Sequence, residues 1–519
     1  MNNDKTTKPL IDINNRWHIA VICVLLGAVA KFGLPPDCML AVFVAAMVLF
    51  MRLCDALQSK RLALLAGFCF GFGYFSLGLA WINHAVFVFA PELATLVGII
   101  FVACGIWGGG YIACASLIAA FYPRGLWRHI AFAAAWILAE YARAHLFTGF
   151  AWNLTASVWI NDLPMLQTLA FGGSYGLGLL TMLLIAAAAS LPEVTRRDLP
   201  KTAVVFALFM AVYMAGYIRL WQNPTEYTDL SLRLVQPNIP PSLHGDRELA
   251  KQEFLSGLEL SLKELPEDTD YVIWAETSLP YSIYGRRGGL DKIAEALPSD
   301  MPLIAGALRY TPTDIYNSAL LIKNGHITDF YDKSHLVPFG EYVPLHSVFP
   351  FMEKFTAGGA DLTSGSGIRA MTLEKGGKVG ILICYEVIFP DDIDFKDDRP
   401  RWLLNLTNDG WYGETSGPYQ HFAAAKLRAI EHGLPLVRVA GTGISGLITA
   451  TGEVPFSLGL NKSGVLDVNL PKPLPATMYS HIGSLPVLLL CGFILLLLPS
   501  RRLWQICRKK PRQQLNGKT

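Results

Sequence analysis

Apolar residues run in long unbroken blocks at both ends of the chain, whereas between Tyr227 and Ser480 apolar and polar positions alternate every few residues. A bilayer core needs about 20 apolar residues per helix. Runs of that kind fall at residues 17–34, 38–54, 62–82, 93–120, 130–147, 166–191, 202–221 and 484–499, which predicts eight spans. Positive charge collects in every second connecting loop: Lys5, Lys8 and Arg16 before the first run, Arg52, Lys60 and Arg61 after the second, Arg124 and Arg128 after the fourth, Arg196, Arg197 and Lys201 after the sixth, and a tail with Arg501, Arg502, Arg508, Lys509, Lys510 and Arg512 after the last. Basic loops stay in the cytoplasm. Both termini are therefore expected there, with the polar region on the far side. Ala28-Val29-Ala30 resembles a signal-peptidase site, but cleavage would leave the polar region on the same side.

The polar region alternates short strand-like runs with amphipathic helical stretches. Strands are predicted at 231–236, 271–275, 303–308, 319–322, 378–384, 402–406, 436–439, 446–450 and 464–468, and helices at 246–265, 290–297 and 419–432. Asn324-Gly325 and Thr451-Gly452 are hairpin signals. Strands alternating with helices, plus hairpins, indicate a mixed sheet covered by helices. The expected organisation is a membrane domain over 1–222, an inserted extracytoplasmic α/β domain over 223–482, and a final span with a basic tail over 483–519. Gly67, Gly71, Gly73 and Gly108-Gly109-Gly110 suit close helix contact. Glu140 and Arg143, three apart, can form an ion pair or meet a lipid headgroup, and residues 147–153 suit an interfacial turn.

Composition supports the membrane reading. Of 519 residues, 52% are apolar and 16% charged, against about 25% charged in ordinary soluble domains. A net charge of +2, with no basic stripe outside the tail, argues against a nucleic-acid partner. Cys and His nowhere take zinc-ligand spacing in the polar region, and no glycine-rich phosphate loop follows a strand, so neither metal nor cofactor is expected.

One cysteine, Cys384 in Ile-Leu-Ile-Cys-Tyr-Glu, lies in the polar region, and the other eight lie in or beside apolar runs. A lone thiol at the end of an apolar strand is a candidate nucleophile, or an inert core filler. Three further segments put polar groups just after strands: Trp274-Ala275-Glu276-Thr277-Ser278, the run from Tyr331 through Lys333 to Glu341, and Asn405-Leu406-Thr407-Asn408-Asp409-Gly410-Trp411. Taken singly, Glu276 reads as a cap and Lys333 as a solvated turn residue. Val348-Phe349-Pro350-Phe351-Met352 and Trp411-Tyr412-Gly413 are apolar loop segments that either cover a lipid cavity, with Phe351, Trp411 and Tyr412 touching substrate, or cover the domain's own core.

Taken together, Glu276, Lys333 and Cys384 resemble the Glu-Lys-Cys triad of the nitrilase superfamily of carbon-nitrogen hydrolases. With seven spans before that domain and one after it, the whole chain resembles the apolipoprotein N-acyltransferase family. The most specific segment is Lys333-Ser334-His335-Leu336-Val337-Pro338-Phe339-Gly340-Glu341-Tyr342-Val343-Pro344. The resemblance implies an αββα sandwich and a two-step acyl transfer in the bacterial inner membrane. The donor would be a glycerophospholipid, typically the sn-1 chain of phosphatidylethanolamine, and the acceptor the N-terminal amine of a diacylglyceryl-cysteine lipoprotein. Cys384 would carry a thioester, Glu276 would be the base, and Lys333 would stabilise the oxyanion. Glu341 would hold the lysine or the amine, or merely anchor its loop; Glu386 and Tyr385 are read as structural support. A monomer is expected. Where many relatives have a Lys-Trp pair after Gln236-Pro237-Asn238-Ile239-Pro240, this chain has His244-Gly245. A membrane-anchored amidase would share every one of these catalytic residues, and a transporter with a binding domain is disfavoured by the scarcity of ionisable groups in the spans.

Overall fold

Helices follow the apolar runs: α1 (Arg16–Ala30), α2 (Leu40–Ala56), α3 (Lys60–Gly78), α4 (Ile82–Phe89), α5 (Val97–Ala119), α6 (Leu126–His145), α7 (Leu163–Leu166), α8 (Leu169–Ser190) and α9 (Leu199–Gln222). The computed structural model describes residues 15–89, 97–191, 199–239, 247–280, 285, 289–298, 300–344, 361–395 and 398–497. Phe351, the His244-Gly245 pair and the basic tail lie outside the described residues.

Among the described residues, four helical stretches are long and apolar enough to cross a membrane: Arg16–Gly33, Lys60–Gly78, Val97–Ala119 and Leu169–Ser190. The other predicted runs differ for local reasons. Helix α2 has 17 residues and α6 carries Arg128, His129, Glu140, Arg143 and His145. The predicted run 62–82 stops at Gly78, and the chain turns before α4. Glycines allow close helix packing, at Gly73 as expected and at Gly27 as well. A Cβ on Gly27 would lie 1.9 Å from the Phe70 carbonyl oxygen, and one on Gly73 would lie 2.1 Å from that of Val24, so the α1 and α3 backbones touch.

Glu140 and Arg143 are both buried, and each binds the loop that follows α6. Glu140 Oε1 accepts from the Thr155 backbone N–H (2.9 Å) and hydroxyl (2.8 Å), while Arg143 Nη1 donates to the carbonyls of Phe150 (2.6 Å) and Trp152 (2.7 Å). This loop reaches the polar domain.

That domain holds two six-stranded sheets. The first has the order β12-β1-β2-β3-β4-β5, from β1 (Tyr227–Gln236), β2 (Tyr271–Trp274), β3 (Leu303–Tyr310), β4 (Ile315–Lys323), β5 (His326–Asp332) and β12 (Gly464–Pro471). The second has the order β11-β10-β9-β8-β7-β6, from β6 (Ala370–Thr372), β7 (Lys378–Ile383), β8 (Trp402–Thr407), β9 (Leu436–Ala440), β10 (Ser445–Ile448) and β11 (Phe456–Leu458). In each, β1-β2-β3 or β7-β8-β9 run parallel and the flanking pairs antiparallel. Parallel neighbours need a crossover, which explains the intervening helices.

The sheets pack face to face through Leu232, Leu234, Ile273 and Ile304 against Ile381, Ile383, Leu404 and Val437. Helices α10 (Arg247–Leu262) and α11 (Gly289–Ala296) cover the first sheet through Phe254, Ile293, Val272 and Trp274. Helix α12 (Gly417–His432) covers the second and also packs on α8, so one helix layer lies between sheet and membrane domain. The result is the helix–sheet–sheet–helix sandwich expected. Helix α8 breaks at Gly173 (φ 62°, ψ −167°), and the N–H and hydroxyl of Ser174 both donate to Glu431 Oε1 of α12 at 2.7 Å. A carboxylate at a renewed helix start satisfies N–H groups that have no partner within the helix. After β12, α13 (Met478–Ile482) leads into α14 (Leu485–Leu497), which packs against α6 and α8.

Nine predicted strands correspond to β1–β4, β7–β10 and β12 within a few residues. Strands β5, β6 and β11 were not predicted. In β5 (His-Ile-Thr-Asp-Phe-Tyr-Asp) only Tyr331 is buried, so no apolar period marks it.

Candidate active site

Three strand ends converge. Beyond β2 the chain turns at Ala275-Glu276-Thr277, with Thr277 at φ 52°. Gly306 of β3 passes directly behind: a Cβ there would lie 2.5 Å from both the Ala275 oxygen and the Glu276 Cα. Only glycine permits this approach, and it fixes where Glu276 leaves the sheet. Beyond β5, the Lys333 backbone N–H donates to the Asn317 carbonyl of β4 (2.8 Å), extending the antiparallel ladder to the lysine. Beyond β7, Cys384 adopts φ 50°. A non-glycine residue held there costs about 1–3 kcal/mol, a strain typical of positions the surrounding structure over-determines.

All three side chains are buried: Glu276 is 6% exposed, Lys333 1% and Cys384 5%. Lys333 Nζ lies 2.9 Å from Glu341 Oε1 and 3.8 Å from Glu276 Oε1. Asn317 Nδ2 bridges the two carboxylates, donating to Glu276 Oε1 (2.8 Å) and Glu341 Oε1 (2.9 Å). Glu276 Oε2 accepts from the Asn408 backbone N–H (2.8 Å), and Glu341 Oε2 from that of Val337 (2.7 Å). Glu276 and Lys333 both act electrostatically on the Cys384 thiol, and Thr407, one step beyond the Ile383–Leu406 register pair, stands beside it.

The electrostatics follow from burial and these neighbours. Burial raises the Glu276 carboxyl above its ordinary range, with Lys333 opposing and Glu341 adding to the rise. Burial also pushes the Cys384 thiol up, and the Glu276 charge pushes it further, against Lys333. For Lys333 burial works toward the neutral amine, but the Glu341 and Glu276 carboxylates outweigh it and hold the ammonium charged. The thiol therefore rests protonated beside a carboxylate of raised basicity and a fixed cation. That arrangement can move the thiol proton to the carboxylate when an electrophile arrives.

Glu386 is fully buried and accepts from five donors: Tyr331 hydroxyl (2.7 Å), Ser334 N–H (2.7 Å) and hydroxyl (2.9 Å), His335 N–H (3.2 Å) and Ile383 N–H (2.7 Å). It joins the Lys333 loop to the Cys384 turn. Tyr385 donates to the Gly149 carbonyl (2.9 Å) and stacks on Phe150, tying the same turn to the loop after α6. Tyr412 is buried against Trp81, Trp152 and His421, close enough to Cys384 for its hydroxyl to feel the sulfur's charge. Trp411 packs partly buried on the membrane-domain core. Thus the Trp411-Tyr412 segment covers the junction of the two domains rather than projecting from it.

Sequence reasoning missed Asn317, Thr407, Asp409, His421 and Arg438 as site residues. Asp409, His421 and Arg438 are fully buried, with Asp409 Oδ1 2.8 Å from His421 Nδ1 and Asp409 Oδ2 2.8 Å from Arg438 Nη2. A polar residue in an otherwise apolar strand, as for Asn317 in β4 and Arg438 in β9, was the available signal. Asp409 stood within a quoted motif but carried no assigned role.

Comparison with known proteins covers both parts of the chain. Residues 26–187 match the apolipoprotein N-acyltransferase N-terminal domain and residues 232–474 the carbon-nitrogen hydrolase family. An apolipoprotein N-acyltransferase from Rhodopseudomonas palustris is 35% identical over 94% of this chain and 96% of its own length. One from Bradyrhizobium diazoefficiens is 34% identical over 94% and 95%. A solved CN-hydrolase superfamily protein from Xanthomonas campestris, 18% identical, covers 50% of this chain and 96% of its own with a TM-score of 0.35. With a membrane domain of one kind fused to a hydrolase-type domain that buries a Glu, a Lys and a Cys at converging strand ends, and with such relatives over nearly its whole length, the chain belongs to the apolipoprotein N-acyltransferase family.

Proposed function

We propose that Cys384 carries the acyl group as a thioester between a glycerophospholipid and the N-terminal amine of a diacylglyceryl-cysteine lipoprotein. The chain is an acyltransferase acting on lipoproteins, as its family is; what is proposed is the work of each residue. In the first half Glu276 takes the thiol proton as sulfur attacks the ester carbonyl. Lys333 faces the oxyanion that forms, and such a donor commonly contributes about 3–4 kcal/mol of barrier lowering. The tetrahedral intermediate collapses to the thioester, and Glu276 gives its proton to the departing lysophospholipid oxygen. In the second half the neutral amine attacks the thioester carbonyl. Glu276 takes the amine's proton and returns it to the leaving sulfur. One carboxylate serves both directions, and no proton is gained or lost over the cycle.

The observation that carries this reading is the buried Cys384 at a positive-φ turn, under the charge of Glu276 and beside an ammonium held by two carboxylates. Glu341 and Asn317 aim the lysine and the base, and Glu386 with Tyr385 hold the turn. Trp411, Tyr412 and Phe351 would line the path of the acyl chains. The reading also takes eight spans, both termini in the cytoplasm, and residues 223–482 as a catalytic domain on the periplasmic side, acting as a monomer. The alternation of Lys and Arg between loops supports that orientation.

Mass spectrometry of the intact protein after incubation with phosphatidylethanolamine tests the mechanism. An acyl mass on the peptide bearing Cys384, discharged to a diacylated lipopeptide and absent from Cys384→Ser, is expected. Discharge to water alone would make the protein a hydrolase, and transfer without any acyl-Cys384 would remove the covalent step.

A further inference from the structure

Around Cys384 lie polar groups that the transfer steps above do not use. His421 Nε2 of α12 is 3.0 Å from the Cys384 carbonyl oxygen, an acceptor, so this nitrogen carries a proton and donates. The ring is oriented from its other edge, where Nδ1 meets Asp409 Oδ1 at 2.8 Å and Arg438 Nη2 at 3.0 Å. Asp409 Oδ1 also accepts from the Thr407 hydroxyl (3.1 Å), and Thr407 follows Leu406, the register partner of Ile383, so it stands beside Cys384. Thr407, Asp409, His421 and Arg438 are all fully buried, so none of these bonds competes with bulk water.

From this we infer that His421, Asp409 and Thr407 form a two-armed brace on the nucleophile: one arm holds the Cys384 backbone in its positive-φ turn, and the other turns a hydroxyl hydrogen bond toward the sulfur when the thiolate forms. The inference rests on reading Cys384 as the nucleophile. Thr407 has one hydroxyl hydrogen, given to Asp409 in this structure, and the neighbouring sulfur becomes a competing acceptor once it is a thiolate. While the thiol is protonated, the hydroxyl points to Asp409. When Glu276 removes the thiol proton, the hydroxyl turns to the sulfur, and Asp409 keeps Arg438 Nη2, at 3.0 and 2.8 Å from its two oxygens. No covalent bond to hydrogen breaks in this turn. Asp409 stays ionised for it: burial raises its carboxyl, but Arg438 and His421 more than reverse that and hold it well below the ordinary range. Charged and titratable groups acting on the thiol are Glu276 beyond β2, Lys333 beyond β5 and Asp409 beyond β8, with Tyr412 near enough to respond to it; His421 on α12 meets the Cys384 carbonyl, and Arg438 on β9 faces Asp409 and His421. His421 and Asp409 are positioning residues, Thr407 acts on the reacting sulfur itself, and none of the three touches substrate.

The test follows two rates in the detergent-solubilised full chain: alkylation of Cys384 by iodoacetamide across pH, read on the Cys384 peptide by mass spectrometry, and acyl-Cys384 formation from phospholipid. Thr407→Val keeps the shape and removes the hydroxyl. It is expected to move the alkylation midpoint up by about one pH unit and to slow acylation about tenfold at neutral pH, while Thr407→Ser restores both. His421→Gln is expected to lower the acylation rate constant with the donor KM unchanged. A Thr407→Val profile that overlays the parent, in a protein that still accumulates acyl-Cys384, overturns the brace and leaves the nucleophile standing. Transfer that survives Cys384→Ser overturns the reading on which the brace rests.

Discussion

Lys333→Met removes a buried charge without changing side-chain length much, and the structure sets what should follow. Lys333 Nζ is the cation between Glu276 (3.8 Å) and Glu341 (2.9 Å), which Asn317 also bridges. Losing the oxyanion partner should raise the acylation barrier by about 3–4 kcal/mol, on the order of 10²–10³-fold in rate. Losing one member of a buried ionic cluster should also destabilise the fold, by roughly 3–5 kcal/mol if both carboxylates stay charged. Because they can escape by taking up a proton, the destabilisation should depend on pH. In the variant the Glu276 carboxyl, already raised by burial, rises further. Carboxyls whose folded pKa lies above the unfolded value cost stability at high pH and recover it as pH falls through the folded value. In the parent, Lys333 is raised above the ordinary lysine range, so its contribution is complete below that range and constant between pH 6 and 8. Thermal unfolding of both proteins in one detergent at pH 6 and pH 8, with single-turnover formation of acyl-Cys384 at each pH, measures both effects. The variant's deficit in Tm should shrink from pH 8 to pH 6. A pH-independent deficit, or acylation within threefold of the parent, would refute the charge argument.

Three further outcomes are expected. The acid limb of acylation should lie above the ordinary carboxylate range, since burial raises Glu276 and activity is lost as pH falls through its pKa; Glu276→Gln should abolish acylation while Cys384 remains open to iodoacetamide, and a limb at ordinary carboxylate pH would count against Glu276 as base. Gly306→Ala sets a Cβ 2.5 Å from the Glu276 Cα, so a loss of about 1–3 kcal/mol in unfolding free energy and a larger proportional loss of activity should appear; unchanged acylation would show that the turn can shift freely. Glu386→Gln places an amide among five donors and should cost about 2 kcal/mol or more of stability, measured by thermal unfolding; a neutral effect would remove its bracing role.

The strands that carry Glu276, Lys333 and Cys384 differed in how well the sequence marked them. Tyr271–Trp274 and Lys378–Ile383 are apolar runs that end at a polar residue, so they and the groups just beyond them could be read directly. Strand β5, which delivers Lys333, has one buried residue and no apolar period; there the lysine was found from its neighbours Ser334 to Glu341 and not from a strand. The positive φ of Cys384 left no local mark, because it is imposed by Glu386, His421 and the packing around the turn. Span prediction met a similar boundary. Apolar content located α1, α3, α5 and α8, but where chain length and buried charge compete, as in α2 and α6, composition alone left the helices short of the usual criteria.

By itself the amino-acid order determined the two membrane blocks, the α/β class of the domain between them, and three residues whose settings mark a thiol chemistry. These are properties of burial period and of nearest neighbours along the chain, and both are written locally. Only the tertiary structure decided that Asn317 bridges two carboxylates, that Gly306 is the surface on which Glu276 turns, and that Thr407, Asp409, His421 and Arg438 gather next to Cys384. Those groups come from β3, β4, β8, β9 and α12. They meet because strand order and sheet-on-sheet packing bring together residues far apart in the chain, and no pattern within a single segment encodes that choice.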